Sequence, residues 1–140
     1  MSNTRYTVAI HVLTLLAHSG PEAVTSEFIA GSVNTHPVVI RRILAGLRAA
    51  KLVRSQGGPG GGWRLLRDPG AITLRDVLLA AGGEDLFPLH GTPPNPACPV
   101  GKRIQSLLAV RFRSAREAME KDLERTTIAQ LVHEVMRLPA

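Results

Sequence analysis

Residues 25–66 read TSEFIAGSVNTHPVVIRRILAGLRAAKLVRSQGGPGGGWRLL, and the changes of pattern inside this stretch decide the fold. Thr25 can cap a short helix that holds Phe28, Ile29 and Val33, with Glu27 in the first turn, where the helix dipole favours an acid. Ser32 to Thr35 are turn residues, and Pro37 stands where the first turn of a new helix tolerates a missing N–H. That helix should run to about Ala50. Ile40, Ile43, Leu44 and Leu47 recur at helical spacing as its inner face, and Val38, Arg41, Arg42, Ala45 and Ala49 make the opposite one. Two short helices joined by a tight polar turn, the second basic on its outer face, predict a helix-turn-helix. Leu52 to Ser55 and Trp63 to Leu66 then read as two short strands around a glycine-rich turn, which together make a hairpin wing.

Upstream, Tyr6, Ala9, Ile10, Leu13, Leu16 and Ala17 predict a helix from about Asn3 to His18, ended by Ser19, Gly20 and Pro21. Val8, Val12 and Leu15 add a second apolar stripe, so this helix should be buried on most sides, with a second subunit as one way to cover it. Downstream of the Asp68-Pro69-Gly70 turn, Thr73 and Asp76 have the spacing of a capping box for a helix carrying Leu74, Val77 and Leu78, closed by Gly82 and Gly83. Pro88, Pro93, Pro94 and Pro96 make 84–99 an irregular loop. A long helix should start near Pro99 or Val100. Its apolar edge of Ile104, Leu108, Phe112, Ala115, Met119 and Leu123 is longer than a small domain needs for its own core, and such a seam usually pairs with a copy of itself. A last helix, capped by Thr126 and carrying Ile128, Leu131, Val132 and Val135, can fold back on it. The expected fold class is therefore mainly α: a winged helix-turn-helix over 1–82, a Pro-rich loop over 83–99 and a helical dimerisation region over 100–140, all in one globular unit.

Charge points to a polyanionic partner. Of the formal net charge of +6, five units fall in residues 1–70, and no acidic residue lies between Glu27 and Asp68. Arg41, Arg42, Arg48, Lys51, Arg54, Arg64 and Arg67 occupy that window, where a solvated basic face is the bland alternative. The longest apolar stretch, Val8 to Ala17, is interrupted by His11 and Thr14 and is about half of what a bilayer span requires, and the N-terminus lacks the features of a secretory signal. The expected location is the cytoplasm, with no membrane partner. One cysteine, Cys98, excludes an intrachain disulfide and a multi-cysteine zinc site.

These residues carry a family resemblance. Ile29-Ala30, Asn34 to Val39, Ile43-Leu44, Leu47-Arg48, Ala50 to Val53 and the Pro59 to Trp63 wing resemble the Rrf-two family of bacterial regulators. That family includes the iron–sulfur cluster regulator, the nitric-oxide-sensing repressor and the cysteine-metabolism repressor. Ile72 to Val77 is similar to the family's fourth helix, and Pro96 to Gly101 with the long helix looks like a cluster-free subgroup. The resemblance implies a homodimeric regulator of transcription, a repressor on a palindromic operator in double-stranded DNA, answering to a small-molecule or protein effector. Cluster-binding members use three closely spaced cysteines before the long helix. With Cys98 alone, no iron–sulfur cluster of that type is expected, and no other cofactor or metal. Two positions depart from the family pattern. Lys51 stands where a glycine often ends the recognition helix in a left-handed conformation, and Gly57 stands where many members carry a minor-groove arginine, leaving Arg54 or Arg64 to replace it.

The candidate DNA-binding residues follow from the motif. His36, Pro37 and Val38 open the recognition helix nearest the base edges, and Arg41 and Arg42 reach guanine edges or phosphate. Thr25 and Ser26 can hold a phosphate through hydroxyl and N–H groups, and Gly60, Gly61 and Arg64 belong to the wing. Trp63 is expected to anchor the wing by packing rather than by stacking on bases. Ile104, Leu108, Phe112 and Met119 are the candidate dimerisation residues. Cys98, just before a helix N-terminus that favours thiolate, is a candidate thiol sensor, against the plainer reading of a small residue in a Pro-rich loop. The Gly-rich turn lacks the Lys and Ser or Thr of a phosphate-binding P-loop and precedes a predicted strand, not a helix. Cys98 with His90 or His133 shows no general-base pattern, so no enzyme is expected. The alternative to a regulator is a winged-helix protein-interaction module without an operator of its own.

Overall fold

The computed structural model describes residues 4–82 and 85–139. Asn3 and Gly83, expected at a helix start and a helix end, lie outside the described residues. The elements run α1 (Arg5–Ser19), α2 (Ser26–Val33), α3 (Pro37–Ala49), β1 (Val53–Gln56), β2 (Gly62–Leu65), a 3-10 turn (Pro69–Ala71), α4 (Leu74–Ala81), α5 (Pro99–Leu123) and α6 (Ile128–Arg137). The chain is mainly helical, with one two-stranded antiparallel sheet. It divides into two compact units, Met1–Gly83 with Leu123–Ala140, and Glu84–Asp122.

Every buried hydrophobic side chain among the described residues lies in the first unit. Ala9, Val12, Leu13 and Leu16 of α1 meet Ile29 and Ala30 of α2, the predicted inner face Ile40, Ile43, Leu44 and Leu47 of α3, and Val53, Ile72, Val77 and Ile128. The two-sided character of α1 has its cause within the chain: this helix packs against α2, α3, α4, β2 and α6. No second subunit is needed to bury Val12.

The termini of these helices explain their register. Thr25 caps α2 by accepting the Phe28 N–H, and Asn34 closes it in the left-handed conformation (φ 63°), its N–H reaching the Ala30 carbonyl. Thr73 and Asp76 form the expected capping box on α4. Lys51 does take the left-handed conformation (φ 62°) after α3, where a side chain costs about 1 to 2 kcal/mol relative to glycine. The strands sit one residue later at the start of β1 and one earlier at the start of β2 than expected, pairing Val53 with Leu65, Arg54 with Arg64, Ser55 with Trp63 and Gln56 with Gly62. Val24 adds a bridge to Trp63, with N–H to carbonyl distances of 3.0 and 2.8 Å.

The last helix corrects the sequence reading. Its cap is Thr127, in a capping box with Gln130, not Thr126. The Thr126 carbonyl instead accepts the Leu74 N–H at 3.0 Å, and Ile128 N–H returns to the Ile72 carbonyl at 2.9 Å. This bridge seats α6 on α1 and the 3-10 turn, so α6 is part of the winged-helix core.

The second unit is built differently. Phe87 stacks on Phe112 with ring centroids 5.4 Å apart, and Arg116 reaches Asp85 and Glu120. The loop closes on the helix start through Asn95, whose side chain accepts the Ala97 N–H and whose carbonyl accepts the Cys98 N–H. Gly101 allows this approach, since a Cβ there would collide with the Asn95 carbonyl. No residue of α5 is buried.

Candidate nucleic-acid interface

The α2–turn–α3 segment sets out the candidate reading surface. The inner face of α3 is locked in the core, so its opposite face points outward by geometry: Val38 is 42 % exposed, and Arg41, Arg42, Ala45 and Ala49 are exposed. Pro37 opens the helix at its first turn, half-buried. His36 is the N-cap: its Nδ1 accepts the Val38 N–H at 3.2 Å, which leaves Nε2 for other partners. Sequence reasoning placed His36 at the surface without this role, although a residue directly before Pro at the first helical position was the signal for it. Arg41 is held by Glu27 of α2, Nη2 to Oε1 2.8 Å, a pairing across the turn that no local pattern could reveal. Phe28, expected among the apolar residues of α2, stands 62 % exposed beside it in sequence.

The wing is brought to the same unit by backbone bonds. Because Val24 pairs with Trp63, Thr25 and Arg64 are each one residue from a shared bridge. Gly61 has no room for a side chain, since a Cβ would strike the Gln56 and Gly58 carbonyls, and Gly60 holds φ 73° in the turn. Trp63 is half-buried against the core, and the Arg48 guanidinium lies 5.7 Å from its ring centroid, a cation–π contact joining the end of α3 to β2. Arg54 and Arg64 lie directly opposite across the hairpin, an arrangement of like charge that costs stability unless an anion shares it. Among the described residues, the Arg64 Nε is buried without a hydrogen-bond partner. Of the two phosphate-binding candidates at the start of α2, Thr25 is exposed, whereas Ser26 is only 9 % exposed and offers chiefly its backbone.

A cavity of about 510 Å³ opens between α1 and α6, with Ile10, Leu15, Leu131 and Val132 in its walls and the His11–Ser32 hydrogen bond (2.9 Å) at its side. Its size is ordinary for a small-molecule site. In the second unit Cys98 is exposed, and the backbone N–H groups of Gly101 and then Val100 hold its thiol below the ordinary value. Ile104, Leu108, Phe112 and Met119 are half-buried, whereas Val100, Leu107 and Val110 on α5 are 57 to 67 % exposed. No helix among the described residues is long and apolar enough to cross a membrane.

Known proteins share this arrangement. Residues 2–134 match the Rrf2 profile, described as an iron-dependent transcriptional regulator. The chain belongs to the Rrf2 family. A Bacillus subtilis (strain 168) protein that bears the name of an HTH-type transcriptional regulator, YwnA, is 42% identical over 95% of this chain and 98% of its own. A crystal structure described as that of a DNA-binding protein has a TM-score of 0.73 at 37% identity, over 91% of this chain and 97% of the other. CymR, the global cysteine regulator of B. subtilis, has a TM-score of 0.70 at 26% identity, over 96% and 97% of the two chains. The Rrf2 assignment confirms the expected winged helix and makes this chain a member of a family of transcriptional regulators rather than enzymes, with DNA as partner. Cys98 is the one thiol of the chain.

Proposed function

We propose that this Rrf2 protein is a cytoplasmic, homodimeric repressor that reads a palindromic operator with α3. The observation that carries this reading is the exposed basic face of α3, continued by Arg54 and Arg64 in a wing whose opposed charges call for an anion. His36, Pro37 and Val38 meet base edges, Arg41 and Arg42 contact guanine or phosphate, and Thr25, the backbone at Ser26, Gly60, Gly61 and Arg64 hold the phosphate chain. The dimer forms through α5, where the exposed Val100 and Leu107 flank the seam of Ile104, Leu108, Phe112 and Met119, and two reading heads require a two-fold site.

The protein works without an iron–sulfur cluster of the three-cysteine type. Its signal enters through Cys98, whose thiolate attacks the O–O bond of hydrogen peroxide, taking one oxygen as sulfenic acid while the hydroxide that leaves takes a proton from solvent to become water, or through an effector, small molecule or protein. Selection of bound sequences from random duplexes tests the whole reading: an enriched palindrome and a steep salt dependence are expected. Absence of duplex binding at low salt favours the protein-interaction module instead.

A further inference from the structure

The recognition surface holds a carboxylate where charge argues against one. Glu27 is the last acidic residue before Asp68, and its side chain is 66% exposed at the start of α2. A negative group on a face that meets phosphates opposes DNA binding. The fold explains it only in part: an acid in the first turn of α2 meets the helix dipole favourably, but an ion pair this exposed contributes little stability. Beyond that, its carboxylate accepts a hydrogen bond from Arg41 Nη2 at 2.8 Å. The two residues are 14 apart in sequence, and their meeting is set by structure already described: Thr25 caps α2 and fixes the register of Glu27, and Asn34 in the left-handed conformation fixes the turn into α3.

We infer that Glu27 is a positioning residue for base reading, holding the Arg41 guanidinium in one plane so that its remaining donors face a guanine edge. This inference rests on the reading that α3 enters the major groove. A guanidinium carries five N–H donors, so one bond to Glu27 leaves enough for a bidentate pair with the N7 and O6 acceptors of guanine. A free arginine on its long arm serves phosphate and base alike, whereas one held by a carboxylate is pre-arranged for a planar partner. The negative charge of Glu27 also disfavours the use of Arg41 on a phosphate. The pair therefore trades general affinity for discrimination at one base pair.

Opposite signs in two measurements test this. The full chain is titrated with its selected duplex, with the same duplex altered at the base pair that Arg41→Ala identifies, and with an unrelated duplex. For Glu27→Gln and Glu27→Ala, affinity for the unrelated duplex should rise about twofold, because a repelling charge is gone. Preference for guanine at the Arg41 base pair should fall about threefold to tenfold. In the Arg41→Ala background, Glu27→Ala should change that preference no further. Gln keeps the length of the side chain and leaves the Thr25 cap in place, so loss of fold does not confuse the result; unchanged thermal unfolding confirms it. Discrimination kept by both variants, or an equal rise on all duplexes, overturns the inference and makes Glu27 a plain brake on binding. If Arg41→Ala itself leaves every base preference intact, the base-reading role of Arg41 falls together with the inference.

Discussion

The two units of the chain solve the same problem in different ways. The winged-helix unit buries the apolar faces of α1 to α4 and α6 against one another, with Leu13, Leu44, Leu47 and Ile128 fully enclosed. The unit built on α5 encloses none of its described residues; one loop stacks Phe87 on Phe112 and leaves Leu107 and Val110 open. A core closed within one chain specifies its own fold, whereas an apolar helix edge left open specifies a partner. The winged-helix unit is thus closed on itself, and the open apolar edge of α5 is what the proposed dimer rests on.

The largest effect should come from breaking the closed core. Leu44→Ala, at a fully buried position, should lower stability by about 2 to 5 kcal/mol in urea unfolding. A loss below about 1 kcal/mol means that α3 is not held as described. On the open unit, Leu107→Asp should leave the helical circular dichroism nearly unchanged yet halve the mass seen by sedimentation at micromolar concentration, and palindrome binding should fall with it. A wild-type chain that sediments as a monomer removes α5 as an interface.

Smaller effects sharpen the contrast. Arg42→Ala should weaken binding by about 1 to 3 kcal/mol if Arg42 reads a base, with relaxed preference at that base, or weaken binding to all sequences alike if it contacts phosphate. Unaltered affinity on every duplex excludes both. Lys51→Gly relieves a left-handed side-chain residue at the end of α3 and should raise stability by about 1 kcal/mol, as read from the urea midpoint. Cys98→Ser should leave unfolding unaffected, since the residue is exposed. In the wild type, backbone N–H groups lower the thiol pKa, so alkylation should rise with pH to a plateau whose half-point lies below the ordinary thiol value. A DNA-binding response to peroxide that survives Cys98→Ser would falsify the thiol route.

Much of this was legible from local pattern. Pro37 and the spacing Ile40, Ile43, Leu44, Leu47 determine α3 and which of its faces is buried; Thr73 with Asp76 determines the start of α4; the glycines after Gln56 determine a hairpin. Each signal lies within a few residues of its effect, because caps, turns and amphipathic periodicity are short-range physics. The basic face of α3 was legible for the same reason. What only the tertiary structure decided are the meetings of distant segments. Ile128 closes the core under α1, so α6 belongs to the reading head; Thr126 yields its role as cap because its carbonyl is bonded to Leu74; Ser26 turns out nearly buried; and Glu27 crosses the turn to Arg41. An amphipathic helix states that it needs a partner and leaves open which one, since burial of apolar area is non-directional. That choice is made by the packing of the whole chain.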